Sequence, residues 1–246
     1  MDSGYYAAAA GLAAQTQALE LVAHNLANLS TTGYRGQQTT FRSLLAGSGA
    51  GGYGRNPLNI AVNNYGVLSG SRLDLTPGSL APTGNPLDVG IGGSGFFAVQ
   101  SPQGVLYTRD GSFHLTPTGQ LVTSQGIAVL GEQGTVTLPN GKVAISADGT
   151  ISVDGVVLDR LQLAEFPQGT NLTAVGNATY SAPSGSAVAA ADSSVRQGML
   201  EGSNVSPTEG VVQLITVQRN TEMLSRVLSA LDGQMNQIAV QDLPKV

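Results

Sequence analysis

The two ends of this 246-residue chain carry helical periodicity and the middle does not, and that change of period constrains the fold more than any other feature. From Tyr5 to Leu29 the apolar residues Leu12, Leu19, Val22, Leu26 and Leu29 fall three, four and seven apart, with alanines between them and neither Gly nor Pro after Gly11. Such spacing lines one face of an amphipathic helix. Ser30, Thr31, Thr32 and Gly33 bring turn chemistry just ahead of Tyr34, where the helix is expected to stop. At the other end Leu214, Leu228 and Met235 form one seven-residue series, and Val217, Leu224, Leu231 and Ile238 form a second, interleaved with it. This is a seam of about three heptads, interrupted by Thr221. Ser206 suits a cap, Pro207 the first helical position and Glu209 the acid of a capping box, and Pro244 limits continuation. A helix from Pro207 to about Val240 would be roughly 50 Å long.

Neither stripe is wide enough for its helix to bury alone, so each end needs a partner. The nearest candidate is the other end of the same chain. Residues 1–45 with 200–246 are therefore expected to form a helical coiled-coil assembly domain, with residual apolar edges open to neighbouring subunits. The plainer alternative is that the stripes only close an internal core.

Between the ends the period is two, in short runs separated by Asp110-Gly111, Asn140-Gly141, Asp148-Gly149 and Asp154-Gly155, pairs that suit tight hairpins. Strands are expected at Phe96–Gln100, Val105–Thr108, Ser112–Leu115, Leu121–Thr123, Val143–Ile145, Ile151–Val153 and Leu161–Phe166. With 33 Gly, 5% aromatics and no Trp, the middle reads as a mainly antiparallel β domain over 87–166. The flanks 46–86 and 167–199 are either disordered linkers or extended, partly paired connectors. The fold class is α+β, elongated, with terminal helices pairing as a coiled coil around a central β domain.

Several functions are disfavoured by composition. There is no Cys, hence neither a disulfide framework nor thiolate chemistry. A formal charge of -5, with Lys142 and Lys245 the only lysines, offers no basic face to nucleic acid. No apolar run approaches a bilayer span, and the N-terminus lacks the basic region and cleavage site of a secretory signal. Gly90-Ile91-Gly92-Gly93-Ser94-Gly95 fits G-x-G-x-x-G, but the following Phe96-Phe97-Ala98-Val99-Gln100 reads as a strand where a nucleotide site needs a helix. His24 and His114 have no nearby acids at metal-binding spacing, and Asp88, Asp110 and Asp148 lie at turns where Asp serves the backbone. No catalytic, cofactor-binding or metal-ligating residue is nominated, and no cofactor is expected. A surface- or carbohydrate-binding β module would need an aromatic face that five scattered Phe and seven Tyr do not suggest. A hydrolase would need convergent polar groups in a pocket.

Four stretches carry a family resemblance. Asn25-Leu26-Ala27-Asn28-Leu29-Ser30-Thr31-Thr32-Gly33-Tyr34 resembles the N-terminal signature of flagellar rod, hook and hook-associated proteins. Leu87–Val99, Tyr107–Phe113 and Leu200–Val205 follow in the order that family has. Within it, the length, Met1-Asp2, Asn85–Val89 and Ala147–Ile151 are most similar to the proximal-rod type, with the distal-rod type as the alternative. His24 and Ser206-Pro207 depart from the usual pattern. The resemblance implies a non-enzymatic subunit exported unfolded, without a cleaved signal, by the flagellar type III apparatus. It would polymerise in the periplasm with itself and other rod proteins into the basal-body rod that transmits motor torque. Implied assembly residues are Leu12, Leu19, Val22, Asn25, Leu26, Asn28, Thr32 and Gly33 at one end and Leu214, Val217, Leu224, Leu228, Leu231 and Ile238 at the other. The end segments are expected to gain order only with their neighbours.

Overall fold

The computed structural model describes residues 2–42, 67–167, 169–190 and 192–241. The chain divides into two compact units, one made of the described parts of Met1–Leu26, Gln37–Ser71 and Pro207–Val246, the other of Ala27–Gly36 and Arg72–Ser206. Two helices at the chain ends with a large antiparallel β unit between them in sequence make the fold α+β, as the change of period predicts.

The first unit contains helix α1 (Asp2–Ala27) but for its last residue, helix α2 (Pro207–Gln241), the strand Gln37–Arg42 and most of its partner strand Val67–Leu73. In α1 the most buried positions are Ala8, Gly11, Ala14, Ala18 and Val22, while Leu12, Leu19 and Leu26 are only half-buried. The stripe therefore has small residues along its centre and leucines at its margins, a surface that lets another backbone come close. In α2 Gly210 is buried and Leu214, Val217, Thr221, Leu224 and Leu228 are half-buried. Those positions step four, three, four, three and four, the spacing of a heptad seam. A Cβ placed on Gly210 would stand 3.6 Å from Leu26 Cδ1, so the first turn of α2 lies beside the last turn of α1. The side chains of Leu231, Met235 and Ile238 lie outside those described. Among the described residues no helix is long and apolar enough to cross a membrane.

The second unit is wider than the expected 87–166, because residues 72–86 and 169–190 carry strands of their own. Among the described residues its main sheet has ten strands, seven of them in the order Thr173–Gly176, Thr179–Ser181, Gly104–Thr108, Phe96–Ser101, Ala128–Gly131, Leu121–Val122, His114–Leu115. Phe96–Ser101 is the hub, pairing antiparallel with Gly104–Thr108, Ala128–Gly131 and Leu163–Glu165. Alternation sends Phe97 and Val99 into one core with Ile91, Leu121, Val129 and Ile151. Phe96 goes to the other side, against Phe166, Leu172 and Tyr180. Both faces of this strand are thus buried, and each buried Phe or Val contributes on the order of 1.5–3 kcal/mol. A three-stranded sheet, Val143–Ile145, Thr150–Val153 and Val156–Arg160, adds to the first core.

Turn chemistry explains part of this order. At Asp154-Gly155 both residues have positive φ, 50° and 84°, the requirement for a two-residue hairpin, and the pair joins Thr150–Val153 to Val156–Arg160. At Asp110-Gly111 and Asn140-Gly141 neither residue is left-handed, so the tight hairpins expected there do not form. These glycines serve space instead: a Cβ on Gly111 would collide with the Val89 carbonyl, and one on Gly141 with Asp154 and Val153.

Candidate functional site

The residues of the four signature stretches meet where the chain enters the β unit after α1 and where it leaves for α2. Gly33 begins the junction. Its φ is +67°, a Cβ on it would collide with the Arg109–Asp110 peptide, and its N–H donates to the Glu201 carbonyl at 2.8 Å. Only glycine satisfies both the left-handed backbone and the close approach.

Two residues on, Arg35 turns its guanidinium into the protein. Arg35, Arg109 and Glu201 are each 0% exposed. Arg35 Nη2 donates to Glu201 Oε1 at 2.6 Å, and Arg109 Nη1 donates to Glu201 Oε2 at 2.9 Å. Gly78 N–H also donates to Oε1, at 2.7 Å. Arg109 Nη2 reaches the Gly93 carbonyl at 2.6 Å, and its guanidinium stacks 4.9 Å over the Phe96 ring. The glycine-rich run thus supplies carbonyls to an arginine as it turns into the strand at Phe96. Arg35 N–H donates to the Tyr180 hydroxyl at 2.9 Å. One carboxylate faces two guanidiniums, and Arg35 Nε and Nη1 and Arg109 Nε are buried without a protein partner. Burial lowers the Arg109 pKa to about 10, against the opposing pull of Glu201; burial likewise raises Tyr34 and Tyr180 to about 12. Such a cluster is costly to bury and far costlier to break on one side.

Asn204 ties the same segments through amide chemistry. Its Oδ1 accepts from Gly36 N–H at 2.7 Å, and its Nδ2 donates to the carbonyls of Asp74 at 2.9 Å and Thr76 at 3.0 Å. Its own N–H reaches the Tyr34 carbonyl at 3.3 Å, while Asp74 N–H donates to the Gly36 carbonyl at 2.8 Å. Residues 33–36, 74–79 and 201–204 are therefore laced into one crossing.

In the helical unit, Asn25 holds Gln37 in the manner of a neighbouring strand: Nδ2 donates to the Gln37 carbonyl at 2.8 Å and Oδ1 accepts its N–H at 2.9 Å. Asn28 Oδ1 accepts from the Thr31 hydroxyl at 3.0 Å, closing the turn after α1, and Thr32 is half-buried in that turn. Leu12, Leu19, Val22 and Leu26 lie on the α1 stripe, and Leu214, Val217, Leu224 and Leu228 on the α2 seam. Leu231 and Ile238 fall on α2, outside the described side chains. Beyond these, α2 exposes Val211, Val212, Ile215, Met223 and Val227, with Val212 at 59% and Met223 at 58%. At about 100° per residue this second apolar set projects from the side opposite the seam. Sequence reasoning did not single out Arg35, Arg109, Glu201 or Asn204; the signal was their position inside or beside the quoted motifs in a chain with only 11% charged residues.

Comparison with known proteins decides what this arrangement belongs to. Three family profiles match: "Flagella basal body rod protein" over residues 6–35, "Flagellar hook protein FlgE/F/G D1 domain" over 90–153, and "Flagellar basal body rod FlgEFG protein C-terminal" over 196–241. The flagellar basal-body rod protein FlgF of Salmonella typhimurium is 36% identical over 97% of this chain and 98% of its own. The chain belongs to the flagellar basal-body rod family. FlgF of Caulobacter vibrioides is 31% identical over 100% of both chains, and FlgG of the same organism is 36% identical over 93% of this chain and 95% of its own. In this rod-family chain, the first and last profiles cover the two segments that meet in the junction, and the middle one includes Arg109.

Proposed function

We propose that this rod-family chain is a structural subunit of the proximal rod. Its terminal helices pair side by side as a coiled coil and pack against neighbouring subunits. The observation that carries the reading is the pair of apolar faces on α2. The seam Gly210, Leu214, Val217, Thr221, Leu224 and Leu228 suits the small-residue stripe of α1, whereas Val211, Val212, Ile215, Met223 and Val227 stand exposed on the far side. One helix with two such faces suits two partners, and an interface repeated without closure generates a tube. The partners are further copies and other rod proteins, with the periplasm as the place of assembly, the flagellar export apparatus as the route, and motor torque as the load. Residues 28–36 and 201–206, which continue directly into α1 and α2, would then carry that load along the chain. Similar identity to a FlgG relative keeps a distal-rod role as the second reading, which complementation of strains lacking one or the other gene separates.

The test is sedimentation of the full chain against Val212→Glu/Met223→Glu. The reading expects the variant to keep its β-unit circular dichroism and lose concentration-dependent assembly. Undiminished assembly would refute the outer-face role.

A further inference from the structure

We infer that Arg35, Glu201 and Arg109 form a latch that makes completion of the β unit conditional on both its first and its last segment being in place. Arg35 and Glu201 are 166 residues apart, and Arg109 and Glu201 are 92 apart, so the ion cluster joins the first, middle and last segments of the unit. Until residue 201 arrives, closing the core would bury two guanidiniums without the carboxylate that bonds them both. Until residues 33–36 arrive, Glu201 would keep Arg109 but lose Arg35, and the Glu201 carbonyl, Tyr180 hydroxyl and Asn204 amide would lose the groups they bond. Each loss leaves a charge or polar group buried and unmatched, a penalty that holds the alternative open. The rest of the β unit supplies no equal substitute: Glu165 pulls on Arg109 more weakly than Glu201 does, and the pair of Arg160 with Glu132 is exposed. Hence the unit does not close progressively from Phe96 outward. If, as the rod role proposed above requires, the chain is delivered N-terminus first, the β unit would stay open until its last strand had emerged.

Native-state hydrogen exchange on the full chain tests the latch and leaves the rod reading aside. Junction reporters are the amides of Gly33, Gly36 and Gly202; core reporters are Ala98, bonded to the Gln162 carbonyl at 3.1 Å, and Leu121, bonded to the Val136 carbonyl at 2.9 Å. The latch requires both sets to share one opening equilibrium within about threefold. Glu201→Gln must then lower protection in both sets by about a hundredfold or more. Junction amides that exchange more than about threefold faster than Ala98 and Leu121 in the unchanged chain overturn it, as does a Glu201→Gln effect confined to them. Should Glu201→Gln fail to fold, Arg35→Met/Arg109→Met/Glu201→Leu decides. Recovery of core protection without any of the three charges supports the latch, and no recovery overturns it.

Discussion

Alanine substitution at two glycines with similar φ separates conformational strain from crowding at the junction. Gly33 and Gly84 have φ of +67° and +76°, but a Cβ on Gly84 meets nothing within 4 Å whereas one on Gly33 collides with the Arg109–Asp110 peptide. Gly84→Ala pays about 1–2 kcal/mol for a left-handed L-residue, partly offset by about 0.4–1 kcal/mol from the stiffer unfolded chain. The net cost is about 1 kcal/mol. Gly33→Ala adds about 1–3 kcal/mol of overpacking against backbone that the buried Arg109 holds in place. It also puts at risk the 2.8 Å bond from Gly33 N–H to the Glu201 carbonyl, worth about 1 kcal/mol. The expected total is about 3–5 kcal/mol. Urea unfolding of the full chain, followed by tyrosine fluorescence and near-ultraviolet circular dichroism, gives both values on one scale. Equal costs at the two positions would show that the junction yields to a methyl group and does not hold residues 33 and 109 in fixed contact.

Three further outcomes follow from the same geometry. Tyr34 and Tyr180, raised to about 12, should ionise late in an absorbance titration at alkaline pH. Their folded pKa exceeds the unfolded value, so the stability they contribute is full below about pH 10 and is lost as pH rises through about 12. Tyr34→Phe/Tyr180→Phe should remove the late fraction, and loss of signal near pH 10 instead would contradict the assignment. Glu132→Gln breaks a pair that is 49% and 59% exposed and should cost less than about 1 kcal/mol; a cost of several would mean that burial does not rank these ion pairs. Asn25→Ala removes both bonds to Gln37 and should release the Gln37 amide to exchange, with a stability loss of about 1–3 kcal/mol; continued protection of that amide would show that Asn25 does not hold the strand.

The helices were legible because a 3.6-residue period persists over many turns, and α2 starts at Pro207 as its capping residues predict. Within α1, hydrophobicity and close packing favour different residues. Hydrophobicity favours Leu12 and Leu19, but closeness favours Ala8, Gly11, Ala14 and Ala18, and the structure buries the small residues deepest. Strands at Val89–Gly92, Ser194–Gln197 and Met199–Glu201 escaped notice because they are short or rich in Gly, Ser and charge, and their partners lie far along the chain. Asp154-Gly155 gave its hairpin away; Asp110-Gly111 looked the same but is fixed by the Val89 carbonyl, which no local pattern reveals. The ion cluster was illegible for the same reason, since nothing near Arg35 in sequence announces a carboxylate at residue 201.

The proposed function requires the outer face of α2 to become an interface between subunits. With no native cysteine, a nitroxide on Met223→Cys reports that face alone and one on Leu224→Cys reports the seam. The Met223→Cys label should be mobile in dilute protein and immobilised in assembled rods, beside a Leu224→Cys label restricted in both. A Met223→Cys label still mobile in assembled rods would contradict it.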